Sequence, residues 1–544
     1  MTDKPDECLW WQRGVIYQIY PRSFKDSGDD GVGDLQGILE KIDYLNGGAP
    51  NSGCALGVDA LWISPFYPSP MADFGYDVSD YCDVHPLFGD LATFDRLLAA
   101  AHRRGIKLIV DYVPNHTSDQ HPWFVEARSS RNNPKRDWYL WRDPQPGGGL
   151  PNNWGSAFGG PAWSLDAASG QYYFHQFLKE QPELNWRNPA LREAMLEVLR
   201  FWLDRGVDGF RMDVVGMIVK EAQLRDNPPH PNAPQGLPDN DIFGRQLHLY
   251  NEDQDDVHPI LRDMRRLLDQ YEQRCAIGEL GYSLPRWVRY YGQNGDELHL
   301  PFNFRLMEQP WQARAIRQSV ERLEAVLPPF AWPTYVLGNH DNARLASRIG
   351  QAQARVAALL LLTLRGTPTL YYGDELGLED GVIPPEKLQD PQGLRLGQAR
   401  SRDKARTPMP WDASSGAGFS GAEPWLPVSA DATTRNVAVQ SADPHSLLNL
   451  YRRLLRYRRA TPALQVGSYR SLGSGSDDCF VYLREHASGR CWVALNFSDR
   501  AQRVPFEETA GKVVLSSYLD RQESVSATEL SLRPNEGVIV ELEL

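Results

Sequence analysis

Four segments of this chain end in residues able to do acid–base work. Asp111-Tyr-Val-Pro-Asn115-His116, Arg211-Met-Asp213, Gly278-Glu279 and Asn339-His340-Asp341-Asn342 each follow a short apolar run, and each brings carboxylate, histidine or both to its end. One such cluster could cap a helix or close a turn; four of them, placed alike, are hard to read that way. Arg211 and Asp213 stand two residues apart, so on an extended strand their side chains leave the same face. A fixed guanidinium beside a carboxyl favours the ionised form, which predicts that Arg211 holds Asp213 charged. An ionised carboxylate with a second carboxyl able to carry a proton is the raw material of nucleophilic and general-acid chemistry.

Strands and helices must hold those clusters. Eight short apolar runs, at 14–20, 58–64, 106–113, 206–213, 275–280, 299–303, 334–340 and 368–373, alternate with amphipathic stretches such as 91–104, 191–205 and 257–271. That alternation predicts an α/β fold, a (β/α)8 barrel, whose loops converge on one axis at the C-terminal strand ends. The clusters sit at those ends. Residues 115–186 turn rich in Trp, Pro, Gly and Asn (GGGLPNNWGSAFGGPAW), which predicts an irregular insertion subdomain after the third strand. Residues 465–544, with alternating runs such as CFVYLRE and CWVALNF, predict a C-terminal antiparallel β-sandwich domain. The barrel then comprises residues 1–114 and 187–464.

Composition narrows the partners. The 544 residues carry 57 Lys+Arg against 70 Asp+Glu, a formal net charge of −13 at pH 7, which argues against nucleic acid. Apolar residues make up 42% and charged residues 23%, an ordinary globular balance that excludes disordered and fibrous classes. Cys8, Cys54, Cys82, Cys275, Cys479 and Cys491 show no CxxC spacing, so neither a disulfide framework nor a zinc site is expected. The start, MTDKPDEC, has no basic and apolar leader pattern, and no window approaches the ~20 apolar residues of a membrane span. The expectation is a cytoplasmic protein with no membrane partner.

DYVPNH, GFRMD, the Glu of AIGEL and GNHD resemble, in order and on the expected strands, four regions of the α-amylase superfamily of retaining glycoside hydrolases. GVIYQIYPRSF, DFGYDVSDY, QPELNW and RTPMPW resemble its α-glucosidase and oligo-1,6-glucosidase branch. The likeness spans essentially the whole chain.

That resemblance implies roles. Cleaving a glycosidic bond needs one carboxyl to attack C1 and another to protonate the departing oxygen. Asp213 is then the nucleophile, Glu279 the acid/base, and Asp341 a third carboxylate that grips hydroxyls of the distorted ring. Ile277, Leu280 and Tyr282 give Glu279 an apolar setting that favours a raised pKa. His116 and His340 would donate hydrogen bonds to the same ring, although a lone buried histidine is more often satisfied by backbone. The residue matching Asp73 pairs in α-glucosidases with an arginine near RTPMPW and closes the blind end of the pocket. Here that is Arg402 or Arg406, with Arg402 preferred. Tyr76 would stack on the sugar, and Phe177 is a second stacking candidate or a core residue. A closed pocket selects exo-action on one terminal glucose, and double displacement keeps the α-anomer.

Asp26-Ser-Gly28-Asp29-Asp30-Gly-Val32-Gly-Asp34 resembles the family loop that binds structural Ca²⁺ or Mg²⁺, with Asp26, Asp30, Val32 and Asp34 at ligand positions. Gly28 stands where the family carries Asn, so the loop is one ligand short unless Asp29 or water replaces it. An acidic turn without an ion is the other reading, and catalysis itself requires no cofactor. Val214, after the nucleophile, goes with α-1,6 linkages in related glucosidases, yet one methylene seldom discriminates by more than about 10–200-fold. The Pro- and Asn-rich loop 220–255 is expected to cover the pocket mouth and shape the acceptor site. The leading reading is a retaining exo-α-glucosidase acting on maltose, isomaltose or sucrose, with transfer to sugar or alcohol acceptors. An intramolecular transferase (sucrose isomerase or trehalose synthase) is the alternative. A third reading, an inactive binding subunit, should lack Asp213 or Glu279.

Overall fold

A computed structural model describes residues 8–47, 54–526 and 528–543; the first seven residues, on which the expectation about a leader largely rests, lie outside the described residues. All eight expected runs are strands, trimmed at their ends: β1 (Ile16–Ile19), β2 (Ala60–Ile63), β3 (Lys107–Tyr112), β4 (Gly209–Met212), β5 (Cys275–Gly278), β6 (Leu300–Pro301), β7 (Thr334–Val336) and β8 (Thr367–Tyr371). They form one parallel sheet in the order β7-β8-β1-β2-β3-β4-β5-β6. The barrel lacks a ladder only between β6 and β7, where β6 is two residues long and ends on Pro301, which has no N–H to give.

Alternation along the strands decides what faces the axis. Ile16, Ala60, Trp62, Ile109, Cys275, Ile277 and Leu300 form one apolar cluster inside the barrel. Their neighbours Tyr17, Leu61, Ile63, Leu108, Val110 and Ala276 belong to the outer core beneath the helices. Burial on both faces is why these strands read as nearly unbroken apolar runs. The same period carries Gln18, Asp111 and Arg211 inward, and Asp111 and Arg211 are register partners across β3 and β4. Asp213 and Glu279 follow in the inward rows just past β4 and β5.

Helices α1 (Leu91–Arg103), α2 (Pro189–Arg205), α3 (Val257–Leu268), α4 (Ala313–Val326) and α5 (Gln351–Thr363) lie in the crossovers. Asn188 caps α2 with Pro189 in the first turn, and Gly206, at φ 101°, ends it in the left-handed region. α5 is buried almost all round because it lies between the barrel and the C-terminal sheet. Two buried arginines meet its last carbonyls: Arg458 Nη1 donates to Leu362 O at 3.0 Å and Arg484 Nη1 to Thr363 O at 2.5 Å.

Between β3 and β4, strands Trp141–Arg142, Gln171–Phe174 and Trp163–Asp166 form a three-stranded sheet. Leu140, Trp154, Trp163 and Phe174 make its own small core. After the barrel comes a six-stranded antiparallel sheet, with the pair Gln502–Pro505 and Glu529–Leu532 over one face. Along Cys479–His486, Val481 and Leu483 pack with Val504 and Leu530 of that pair, while Phe480 and Tyr482 join the barrel core. All six cysteines are unpaired. Among the described residues, no helix is long and apolar enough to cross a membrane.

Candidate active site

Arg211 ties three carboxyls together. Its Nη1 donates to Asp111 Oδ1 at 2.9 Å and to Asp213 Oδ1 at 2.6 Å, while Nη2 donates to Glu279 Oε2 at 2.5 Å. One cation cannot neutralise three carboxylates, two of them buried, so the group retains a proton. Burial pushes Asp111 up to about 6 against the pull of Arg211. Burial also pushes Asp213 well above the usual carboxylate range; Arg211 opposes this, and the neighbouring Glu279 and Asp111 add to it. The expectation that Arg211 alone holds Asp213 ionised is therefore corrected: the guanidinium is divided among three carboxyls. The surroundings of Glu279 differ too. Its Oε2 also accepts the Val214 N–H at 3.2 Å, so it meets polar donors where an apolar setting was expected. Val214, between the two carboxyls in sequence and space, has φ 35° and ψ 41°, a left-handed conformation that a β-branched residue rarely adopts.

Asp341 has the opposite electrostatics. Burial would raise it, yet the His340 ring and the guanidiniums of Arg402 and Arg406 hold it well below the usual carboxylate range. Arg402 Nη1 and Arg406 Nη2 approach its Oδ1 at 3.2 and 3.0 Å. Carboxyls driven in opposite directions thus share one site. Burial pushes both His116 and His340 down to about 3, so both rings are neutral. His340 Nδ1 meets the Gln18 amide nitrogen at 2.7 Å. That leaves the ring proton on Nε2, which faces the Tyr76 hydroxyl at 2.7 Å and Asp341 Oδ2 at 3.2 Å. Tyr76 lies flat on His340, with ring centroids 5.5 Å apart, and its hydroxyl reaches Asp111 Oδ2 at 3.2 Å. Phe177 sets its edge against His116 at 5.3 Å.

Asp73, Tyr76, His116, Phe177, Asp213, Glu279, His340, Asp341 and Arg402 line one cavity of about 320 Å³, and Arg211 lies behind that wall. An ion-pair group forms part of this wall. Arg402 Nη2 donates to Asp73 Oδ1 at 2.8 Å and to Asp390 Oδ1 at 2.7 Å, and Gln181 Nε2 donates to Asp73 Oδ2 at 3.1 Å. Phe158 lies against the guanidinium, 5.0 Å from its carbon. Of the two arginines left open by the sequence, Arg402 is the one on Asp73. Arg406 stands behind it, its Nε donating to His340 O at 2.8 Å.

A second cavity, of about 410 Å³, shares Val214, Glu279, Asp341 and Asn342 with the first. Phe243, His248 and Glu252 from loop 220–255 supply part of its wall, opposite Tyr282, Phe304 and Met307. Glu279 and Asp341 therefore stand where two chambers meet, and Asp213 faces the first.

Residues 18–467 match the family described as alpha amylase, catalytic domain. The chain belongs to the α-amylase family. It is 42% identical over 542 residues to a probable alpha-glucosidase of Rhizobium meliloti, covering 95% of this chain and 96% of that one. It is 36% identical to an oligo-1,6-glucosidase of Heyndrickxia coagulans over 98% of this chain and 99% of the relative. Among solved structures, an alpha-glucosyl transfer enzyme superposes with a TM-score of 0.91 at 42% identity, over 99% of this chain and 100% of the other. The trehalulose synthase of Pseudomonas mesoacidophila superposes with a TM-score of 0.88 at 35% identity, over 99% and 100%.

This α-amylase family member departs from the family pattern at the expected metal loop. Asp26 Oδ1 accepts the amides of Gly28 and Asp29, both at 2.8 Å; Oδ2 accepts Gly31 N at 2.8 Å and Ser420 Oγ at 2.6 Å. Asp34 is taken up by Ser27 N at 2.9 Å and Gly37 N at 2.6 Å, and exposed Asp30 turns to Val32 N at 2.9 Å. The Lys25 ammonium donates to Asp26 O at 2.5 Å and Phe419 O at 3.1 Å, a cation already seated among these carbonyls. Among the described residues, no three His, Cys, Asp or Glu side chains converge as a metal requires. A hard cation wants six to eight oxygens, and these are committed to amides, so the residues present do not fit Ca²⁺ or Mg²⁺. Dialysis against EDTA is expected to leave the melting temperature unchanged. A fall of more than about 3 °C, reversed by either ion, would contradict this; for a chain this large that is about 3 kcal/mol.

Asp111, Gln181, Asp390 and Phe158 had no predicted role. Asp111 carried a signal, since it stands at a strand end one register step from Arg211. Gln181 lies in QPELNW, which served only as a family signature. Asp390 and Phe158 come from irregular segments whose sequence gives no periodicity to read.

Proposed function

We propose that this enzyme is an exo-acting, retaining α-glucosidase. It would remove the terminal α-glucosyl residue of maltose, isomaltose or sucrose and hand it to water or to a sugar or alcohol hydroxyl. The observation that carries the reading is the Asp73–Arg402–Asp390 group in the wall of the smaller cavity, which on this reading closes its blind end. A pocket stopped there takes one terminal ring and not the middle of a chain. Its volume, about 320 Å³, lies at the small end of ligand pockets, which run about 300–1,000 Å³.

Chemistry follows from the carboxyl pair. The reaction needs Glu279 to give a proton and Asp213 to be ionised beside Arg211. Asp213 attacks C1 while the bond from C1 to the leaving oxygen breaks and Glu279 gives that oxygen its proton. Glu279 then takes a proton from water or an alcohol, whose oxygen attacks C1 and releases Asp213. Two inversions restore the α-anomer. The spacing supports this order. Asp213 and Glu279 bind the two Nη atoms of one guanidinium, a close pairing that suits retaining enzymes, whose carboxyls stand about 5–5.5 Å apart, better than inverting ones at about 6.5–9.5 Å. Asp341, held ionised, faces the positive charge that grows at C1 in the transition state. Transfer fits the likeness to a protein named as an alpha-glucosyl transfer enzyme. Six unpaired cysteines suit a cytoplasmic setting. Intramolecular transfer, as in the trehalulose synthase, would use the same carboxylates and differ in the fate of the leaving sugar.

A proton NMR time course with maltose, isomaltose and sucrose together tests the proposal. Early α-glucose from a chain end is expected, with isomaltose consumed fastest if Val214 sets the linkage. Early β-glucose would overturn double displacement. Conversion of sucrose to isomeric disaccharides with little free glucose would transfer the case to the intramolecular reading.

A further inference from the structure

The second chamber contains one carboxyl that the mechanism leaves unused. Glu252 is 11% exposed at the side chain, and its Oε1 is shut off without a hydrogen-bond partner. His248 Nδ1 stands 3.9 Å away, beyond hydrogen-bond reach, and burial pushes that ring down to about 4, so it is neutral. Burial pushes Glu252 up to about 7; the Lys220 ammonium pulls against this but is paired with Glu183. The other polar groups on this wall are engaged. His248 Nδ1 meets the Asn251 amide at 3.3 Å, and Asn339 Oδ1 accepts Asp341 N at 3.0 Å and Asn342 Nδ2 at 2.8 Å. Glu308 is exposed at the rim, where water serves it. The rest is aromatic or apolar: Phe243, Tyr282, Phe304, Met217 and Met307.

An enclosed carboxyl oxygen without a donor is costly, and such a group persists where a ligand supplies the donors. The ligand this chamber receives carries them. Its walls include Val214, Glu279 and Asp341 but neither Asp73 nor Arg402, so it adjoins the reacting carboxyls without reaching that pair. On the α-glucosidase reading, this chamber holds the leaving sugar and then the acceptor. We infer that Glu252 is a specificity-determining residue of the acceptor side, whose carboxyl accepts a hydrogen bond from a hydroxyl of the departing or arriving sugar. It thereby favours polyhydroxylated acceptors over simple alcohols in a chamber that is otherwise apolar.

The test lets one glucosyl-enzyme choose between two acceptors. With 4-nitrophenyl α-glucoside as donor, glucose and methanol compete, and the ratio of disaccharide to methyl glucoside is measured. Methanol's single hydroxyl is consumed by the reaction, so nothing remains for Glu252 to bind. At pH 8, where a carboxyl pushed up to about 7 is ionised, the ratio in Glu252→Leu should fall by about tenfold or more, the loss expected for a hydrogen bond to a charged group. Glu252→Gln, which keeps an acceptor oxygen and the side-chain shape, should fall less. A general loosening of the loop would depress both products and leave their ratio alone. A ratio within twofold of wild type in both variants overturns the inference. Wild-type protein that cleaves no α-glucoside at all would instead defeat the α-glucosidase reading, and this inference with it.

Discussion

Asp213→Asn will lower turnover of every α-glucoside by about 10⁴-fold or more and leave the protein folded. The amide keeps the shape of the carboxyl but has no charge with which to attack C1. Arg211 loses one acceptor of three and keeps Asp111 and Glu279, so the barrel interior stays ordered. Stability should not fall. Burial and two neighbouring carboxyls already disfavour the charged form of Asp213, and a neutral amide removes that conflict. The melting temperature is expected to match or exceed that of wild type, a stability gain at the expense of function. Because Asp73, Arg402 and Asp341 remain, the variant should still bind maltose, which calorimetry can read separately from turnover. Activity within tenfold of wild type would remove Asp213 from the nucleophile's place.

Much of this site is legible in the sequence because a strand transmits its pattern simply. A period of two puts Arg211 and Asp213 on one face, and the parallel register then delivers Asp111 and Glu279 to the same layer. Pairings across long loops follow no such rule. Arg402 and Arg406 stand four residues apart in one irregular segment, and only the folded chain separates Asp73's partner from the residue behind His340. The electrostatics were less legible still. Placing a cation beside Asp213 predicts an ionised carboxylate, but the answer depends on how many carboxyls claim that cation. Three do, and two of them reach it from β3 and from the end of β5. The metal loop failed for a related reason. Spaced aspartates are shared by ion-binding loops and by turns that bind their own amides, and Lys25, Ser420 and Phe419, which decide between the two here, lie outside the motif or far along the chain.

Glu279→Gln should separate substrates by their leaving group. The alkoxide leaving from maltose or isomaltose is a poor leaving group and needs a proton as the bond breaks, whereas 4-nitrophenolate departs without one. General-acid assistance is worth about 10²–10⁴-fold, so kcat/KM for the disaccharides should fall by about that factor, and for the aryl glucoside by about tenfold or less. The pH profile adds a second reading. In wild type the Asp213–Glu279 pair must carry one proton, so activity is lost as pH rises and that proton leaves. Burial places this limb above the ordinary carboxylate range. A glutamine has no proton to lose, so the aryl-glucoside profile of the variant should be flat on the alkaline side. The acid limb should move down as well, because Glu279 and its hydrogen bond raise Asp213 in wild type and the substitution removes both. Equal losses on disaccharide and aryl glucoside, or an alkaline limb that survives the substitution, would assign the proton to another group. Asp111, pushed up to about 6 on the same guanidinium, would then be the first residue to replace.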